Sequence, residues 1–259
     1  MFEEYSIDKM PGHWLLARMG KRVLRPGGRE LTLKMLDELD IGMKDTVVEF
    51  APGMGSTAKL VMEKKPGRYF GVDQNEEAIE HLSGLCSNNG YKFIKADITD
   101  SGLRDNFATV VLGEAVLTMQ TDERKERIIK EAHRILERGG RYSIHEICLE
   151  PDNLGEQAKD RIRKELSGEI RVNARPLTAE EWKRMFAKAG FRVEIILMRP
   201  MHLLEPSRLV RDEGIAGVGR IIYNALTTRG AMKRVSGMRK VFNKYEKYMR
   251  AINIIGIKE

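Results

Sequence analysis

Two spacings of apolar residues alternate along this chain. Stretches such as Val47-Val48-Glu49-Phe50, Val110-Val111-Leu112 and Ile252-Asn253-Ile254-Ile255 are nearly continuous, as strands buried on both faces must be. Between them apolar residues recur every three or four positions, which predicts amphipathic helices. Strands are expected at 47–50, 69–73, 91–96, 107–113, 141–147, 191–197 and 252–257. Helices are expected from Ser56 to the Pro66-Gly67 break, at 75–88 with Ala78, Ile79, Leu82, Leu85 and Cys86 inward, at 121–136, and from a capping box at Thr178 and Glu181 to Gly190. Strands and helices in alternation give an α/β fold, because parallel strands need crossover connections.

The chain leaves that rhythm near both ends. Residues 1–40 precede the first strand and carry two helical stripes, Trp14, Leu15, Leu16, Met19 and Val23, then Leu31, Leu33, Met35, Leu36 and Leu39, parted by Arg25-Pro26-Gly27-Gly28. They are expected to form an N-terminal helical cap over the mouth of a core at 41–200. Tyr5, His13, Trp14 and the Pro26-Gly27-Gly28 turn either close the site or, for Trp14 and its neighbours, pack helices; Leu15, Leu16 and Met19 are expected in the core, with the lid role kept for Tyr5 and Gly28. Residues 201–250 form an insertion before the last core strand at 251–259. It shows two more stripes, Val218, Ile221, Ile222, Ala225 and Leu226, then Val235, Met238, Val241, Phe242, Tyr245, Tyr248 and Met249.

Glu49-Phe50-Ala51-Pro52-Gly53-Met54-Gly55 runs from a buried strand through a glycine turn into a helix. Glycine lets backbone approach a ligand without a Cβ in the way, and this junction is where nucleotide-like cofactors sit in α/β sheets. A dinucleotide fingerprint would place glycine at 56, where Ser56 stands, so the spacing disfavours a pyrophosphate. The second strand ends in Asp73, whose carboxylate can accept from both hydroxyls of a ribose. The third ends in Asp97, so acids stand at three successive strand ends.

With these residues the sequence resembles the class I S-adenosylmethionine-dependent methyltransferases, whose first motif is acidic-x-Gly-x-Gly-x-Gly; Ala51 stands at the first glycine. The resemblance covers about residues 42–200 and the last strand, and is closest to small-molecule enzymes of the ubiquinone and menaquinone biosynthesis type. It implies a Rossmann-like, seven-stranded, mostly parallel sheet with helices on both faces. It also implies S-adenosylmethionine held by Glu49, Ala51, Pro52, Gly53, Gly55, Asp73, Gln74, Asp97, Ile98 and Glu114, with Asp97 accepting from the adenine amino group and Ile98 packing on the ring. Enzymes of this family that methylate exocyclic amines of bases carry an Asn/Asp-Pro-Pro-aromatic loop after the fourth strand, where this chain has Glu114-Ala115-Val116-Leu117. The expected acceptor is a small, apolar organic molecule. His145 and Glu114 are the candidate catalytic groups, His145 for its pKa range and Glu114 because it could orient the cofactor or deprotonate the substrate.

Charge adds one feature. Residues 201–250 hold eleven Lys and Arg against four acids, an excess equal to the +7 of the whole chain. This is either an ordinary solvated face or a contact for a membrane surface or an anionic substrate. A nucleic-acid methyltransferase using this segment is the alternative function, disfavoured by the lack of a recognised RNA-binding module; a domain that binds S-adenosylmethionine without turnover is another. Cys86 and Cys148 lie in separate elements, and no histidine stands at ligand spacing to His145, so neither a disulfide framework nor a metal is expected. A cytoplasmic setting is expected, because no signal-like opening and no apolar run near the roughly 20 residues of a spanning helix occur. The sequence leaves the acceptor atom and the oligomeric state open.

Overall fold

The computed structural model describes residues 6–84 and 90–259. Tyr5 as a lid residue, Cys86 as a core residue and the end of the helix expected at 75–88 lie outside them. In chain order the elements are α1 (Gly12–Arg18), α2 (Gly28–Glu38), β1 (Thr46–Phe50), α3 (Ser56–Glu63), β2 (Arg68–Asp73), α4 (Glu76–Ser83), β3 (Tyr91–Lys95), β4 (Ala108–Glu114) and α5 (Asp122–Ile135). They continue with β5 (Leu136–Leu149), α6 (Glu156–Ile170), β6 (Leu177–Thr178), α7 (Ala179–Lys188), β7 (Phe191–Pro200), α8 (Pro206–Thr227), α9 (Ala231–Lys244) and β8 (Met249–Lys258).

The sheet runs β3-β2-β1-β4-β5-β8-β7. β1 pairs in parallel with β2 on one side and β4 on the other, and all five of its residues are buried. β8 is antiparallel to both neighbours. The order reverses between β1 and β4, and a doubly wound sheet opens its binding crevice at such a switch, outside the carboxyl ends of the strands. Helix starts are fixed locally: Asn75 caps α4 by accepting from Ala78, Thr121 caps α5 by accepting from Arg124, and Thr178 with Glu181 forms the expected capping box of α7.

Three details differ from the sequence reading. β6 is an eighth strand of two residues, pairing with Cys148 and Leu149 of β5, too short for any periodicity to announce. β5 begins at Leu136 rather than 141, because Leu136 pairs with Ala108 before the register shifts. The second helix of the expected N-terminal cap, α2, is not at the mouth; its Met35 and Leu36 pack with Val47 of β1 and Val110 of β4 against the sheet. What covers the mouth is the segment around α1, and the insertion encloses it. Leu15, Leu16 and Met19 share one core with Ile162 and Leu166 of α6, Ile221 and Ala225 of α8, and Met238 and Phe242 of α9.

Gly55 opens α3 with φ 75, and a Cβ built there would clash with Leu82 Cδ2 in the core. Both the left-handed backbone and the collision penalise a side chain. Gly55→Ala is expected to lower stability by about 2 kcal/mol in urea unfolding; an unchanged midpoint would contradict this account of the turn.

Candidate active site

Beyond the tips of β1, β2 and β4 lies a cavity of about 230 Å³, walled by Glu49, Ala51, Pro52, Gly53, Met54, Thr57, Asp73, Glu114, Ala115 and Met119, with His13, Trp14, Arg22 and Arg25 on the N-terminal side. The turn that shapes it is left-handed at Ala51 (φ 53), Gly53 (φ 53) and Gly55 (φ 75). Ala51 therefore carries backbone strain that a glycine would not. Gly53 N–H donates to Asp73 Oδ2 at 3.1 Å and Asn75 N–H to Asp73 Oδ1 at 2.9 Å. These bonds bind the turn to the tip of β2 and fix the Asp73 carboxylate at the cavity wall.

Glu49 is 3% exposed and accepts a hydrogen bond from Tyr69 Oη at 2.6 Å. Burial pushes its carboxyl up to about 8, with the nearby Glu114 carboxylate adding to the rise and the Tyr69 bond and Arg25 opposing it. A carboxyl that is protonated beside an open cavity is ready to ionise when a cation arrives.

Glu114 has the opposite fate. Thr32 Oγ1 donates to its Oε1 at 2.6 Å, and His145 Nδ1 lies 2.6 Å from the same oxygen. Arg25 and the Thr57 hydroxyl both bond to Oε2. Burial alone would raise its pKa, but the Arg25 charge and the bonds from His145 and Thr32 outweigh it and hold the carboxyl well below the usual range. It is a fixed anion, not a proton acceptor.

His145 is fully buried, and its Nε2 accepts from Gly27 N–H at 2.9 Å. Nδ1 therefore carries the proton given to Glu114, both ring nitrogens are engaged, and the ring lines neither cavity of the site. Of the two expected catalytic groups, Glu114 therefore borders the larger of these cavities and His145 stands behind it. They form a buried brace that holds the Pro26-Gly27-Gly28 turn against the sheet.

Of the other expected cofactor residues, Ala51, Pro52, Gly53 and Asp73 line the cavity, while Gly55 caps α3 behind it. Gln74 is exposed and lies outside the lining. Asp97 is also outside it: its carboxylate takes Arg124 at 2.9 and 3.0 Å and Thr99 N–H at 2.8 Å. Ile98 is buried in the main core and lies outside the lining. Sequence reasoning missed Arg25 and Thr57 as site residues. The one available signal for Arg25 was its place directly before the Pro-Gly-Gly turn.

A second cavity of about 90 Å³ shares His13, Leu24, Ala115 and Met119 with the first. Its wall is otherwise mostly apolar, from Leu16, Ile147, Ile170, Met201, Leu203, Met238 and Phe242. Glu146 also borders it, but with both oxygens occupied: Val116 and Leu117 N–H donate to Oε1 at 2.9 and 2.7 Å, Thr118 N–H and Oγ1 to Oε2 at 3.0 and 2.6 Å. His13 differs. Its ring has no hydrogen-bond partner among the described residues, and burial pulls its pKa down to about 4.

A parallel sheet with this switch point, a left-handed turn after β1 and carboxyls on the strand tips define a class of α/β proteins that hold a nucleoside at strand ends. The family described as a methyltransferase domain matches residues 48–144. A Haemophilus influenzae protein of uncharacterised function is 32% identical over 248 residues, covering 94% of this chain and 96% of its own. The crystal structure of the MccD protein has a TM-score of 0.71 at 21% identity and covers 91% of this chain and 99% of that one. Haemonchus contortus phosphoethanolamine N-methyltransferase 2, solved with S-adenosyl-L-methionine, has a TM-score of 0.72 at 14% identity and covers 99% of this chain and 58% of that one. The chain belongs to the class I S-adenosylmethionine-dependent methyltransferases, and S-adenosylmethionine is its cofactor. The larger cavity fits that group by its own chemistry, with the buried Glu49 carboxyl for a cationic centre, Asp73 for hydroxyls and close-approach backbone at Gly53. Among the described residues no helix is long and apolar enough to cross a membrane.

The raised pKa of Glu49 sets a pH dependence. Folded Glu49 binds its proton more tightly than the ordinary carboxyl near 4.5, so its stabilising contribution is complete below that value and is lost as pH rises through about 8. Glu49→Gln keeps the uncharged form, so its stability relative to wild type should rise between about pH 5 and about pH 9 in thermal unfolding. A difference that stays constant over this range would contradict the assignment.

Proposed function

We propose that the enzyme methylates a small, largely apolar organic acceptor seated in the second cavity. The observation that carries this is the adjacency of the two cavities: the apolar one shares Ala115, Met119, Leu24 and His13 in its wall with the cavity beyond the strand tips. Its apolar lining selects for shape and hydrophobic surface and excludes water from the reacting centre. Bound S-adenosylmethionine supplies a methyl group already activated by positive sulfur and leaves as S-adenosylhomocysteine. Glu49, Asp73 and the Ala51–Gly55 turn would hold the cofactor, and the Glu114 brace keeps the N-terminal wall closed over it. Positioning is then most of the catalysis.

His13 is the group of this chain best placed to meet the acceptor's nucleophilic atom. It reaches both cavities and is uncharged above about pH 4, so a ring nitrogen accepts a hydrogen bond from an O–H or N–H and aims its lone pair. Holding a neutral imidazole there, rather than a cation, also avoids repulsion with the sulfonium.

Incubating the enzyme with methyl-labelled cofactor and a metabolite extract is expected to place label on a small, organic-extractable molecule. Label found only on RNA or protein would contradict the reading. With the acceptor so identified, His13→Ala should lower kcat at least about tenfold while leaving Asp73-dependent cofactor affinity within a few-fold; unchanged kcat would remove His13 from the acceptor site.

A further inference from the structure

Helix α8 is apolar on opposite faces beyond its break at Gly214, where φ 71 and ψ 168 interrupt the helix. Ile221 and Ala225 turn inward and are 9% and 5% exposed in the core shared with α1, α6 and α9. On the other side Ile215, Ile222, Tyr223 and Leu226 are 83%, 53%, 67% and 67% exposed. At 100° per residue Ile215, Ile222 and Leu226 fall on one line, with Tyr223 beside it. A helix apolar all round is normally enclosed, and here the outer half is not.

Charge indicates what covers it. The two acids of α8 face inward: Glu213 accepts from Arg22 and Val23 N–H, both at 2.9 Å, and Asp212 accepts from Arg29 N–H at 3.1 Å. From Gly214 to Tyr245 the chain contains no acid, while Arg229 and Lys233 stand exposed just beyond the apolar stripe. A second copy of this chain docking face to face would bring two such cationic rims together. An anionic lipid surface matches both features, taking the apolar side chains below the headgroups and the cations at them. The helix is not long and apolar enough to span a bilayer, so it would lie in the interface.

We propose that the outer face of α8, from Ile215 to Leu226 with the Arg229 and Lys233 rim just beyond it, docks the enzyme on anionic membranes. Met201 and Leu203 just before α8, and Met238 and Phe242 of α9 just after it, wall the acceptor cavity, so docking would bring the helical layer that carries this cavity to the lipid. The proposal does not depend on which acceptor is methylated.

Co-sedimentation of the full-length protein with extruded vesicles tests it. Vesicles of phosphatidylcholine with about one-third phosphatidylglycerol should pull the protein down, pure phosphatidylcholine should retain at least about tenfold less, and added salt should weaken the first. Ile222→Glu with Leu226→Glu should lose the binding at least about tenfold, and Arg229→Glu with Lys233→Glu should weaken it. Both variants should still bind S-adenosylmethionine as wild type does, because none of these residues lines either cavity; that readout separates lost docking from lost folding or a misassigned active site. Wild type remaining in the supernatant with both vesicles, or equal binding to both, would overturn the proposal. So would light scattering that shows a dimer in wild type and a monomer in the Ile222/Leu226 variant, since the face would then belong to a second copy.

Discussion

The arrangement depends on one buried carboxylate. Glu114 sits at the tip of β4 and receives Arg25 from the segment after α1, Thr32 from α2, Thr57 from α3 and His145 from β5. An ion pair this enclosed has lost hydration on both sides, and attraction offsets that loss only when the remaining hydrogen-bonding positions are filled. Here they are filled by groups from separate parts of the chain. The same contact that satisfies the charge therefore closes the N-terminal segment over the strand tips and forms one wall of the cofactor cavity. His145 extends the brace to Gly27, which fixes the turn that leads into α2.

Glu49 and Glu114 are neighbours with opposite shifts, and the division follows from what surrounds each. Glu114 has a cation and several donors, so it remains charged and immobile. Glu49 is buried against a single tyrosine hydroxyl and near that other negative charge, so its carboxyl is pushed up to about 8. One carboxyl braces the cavity wall and the other lines it. On the far side of Ala115 the wall turns apolar, and His13 stands where the two environments meet.

Much of this fold could be read from the sequence because parallel strands buried on both faces leave continuous apolar runs, and the turn after β1 needs residues tolerant of a left-handed backbone. Glu49, Asp73, Gly53 and Ala51, named from the strand ends and the glycine motif, all line the cavity beyond the strand tips. Local pattern failed where function depends on contacts between distant positions. Glu114 ends β4 as expected, while His145 lies four residues inside the end of β5, and nothing local shows that Arg25, Thr32 and Thr57 converge on the first and Gly27 on the second. Asp97 ends its strand region as the family pattern suggests, but Arg124, a turn into α5, takes its carboxylate. His13 stands among the lid candidates read from the sequence, but nothing in its stripe with Trp14, Leu15 and Leu16 shows that it borders both cavities. The basic insertion was visible as composition, whereas the burial of Arg208 and Arg234, the latter donating to carbonyls of Ile7, Asp8, Met10 and Glu169, was not.

The most direct test is a double-mutant cycle between Arg25 and Glu114 read as S-adenosylmethionine affinity by calorimetry. If the buried pair assembles the cavity, Arg25→Met and Glu114→Gln each weaken binding about tenfold or more, and the double variant is no weaker than the worse single one. Losses that simply add, or singles that bind as wild type does, would contradict the account.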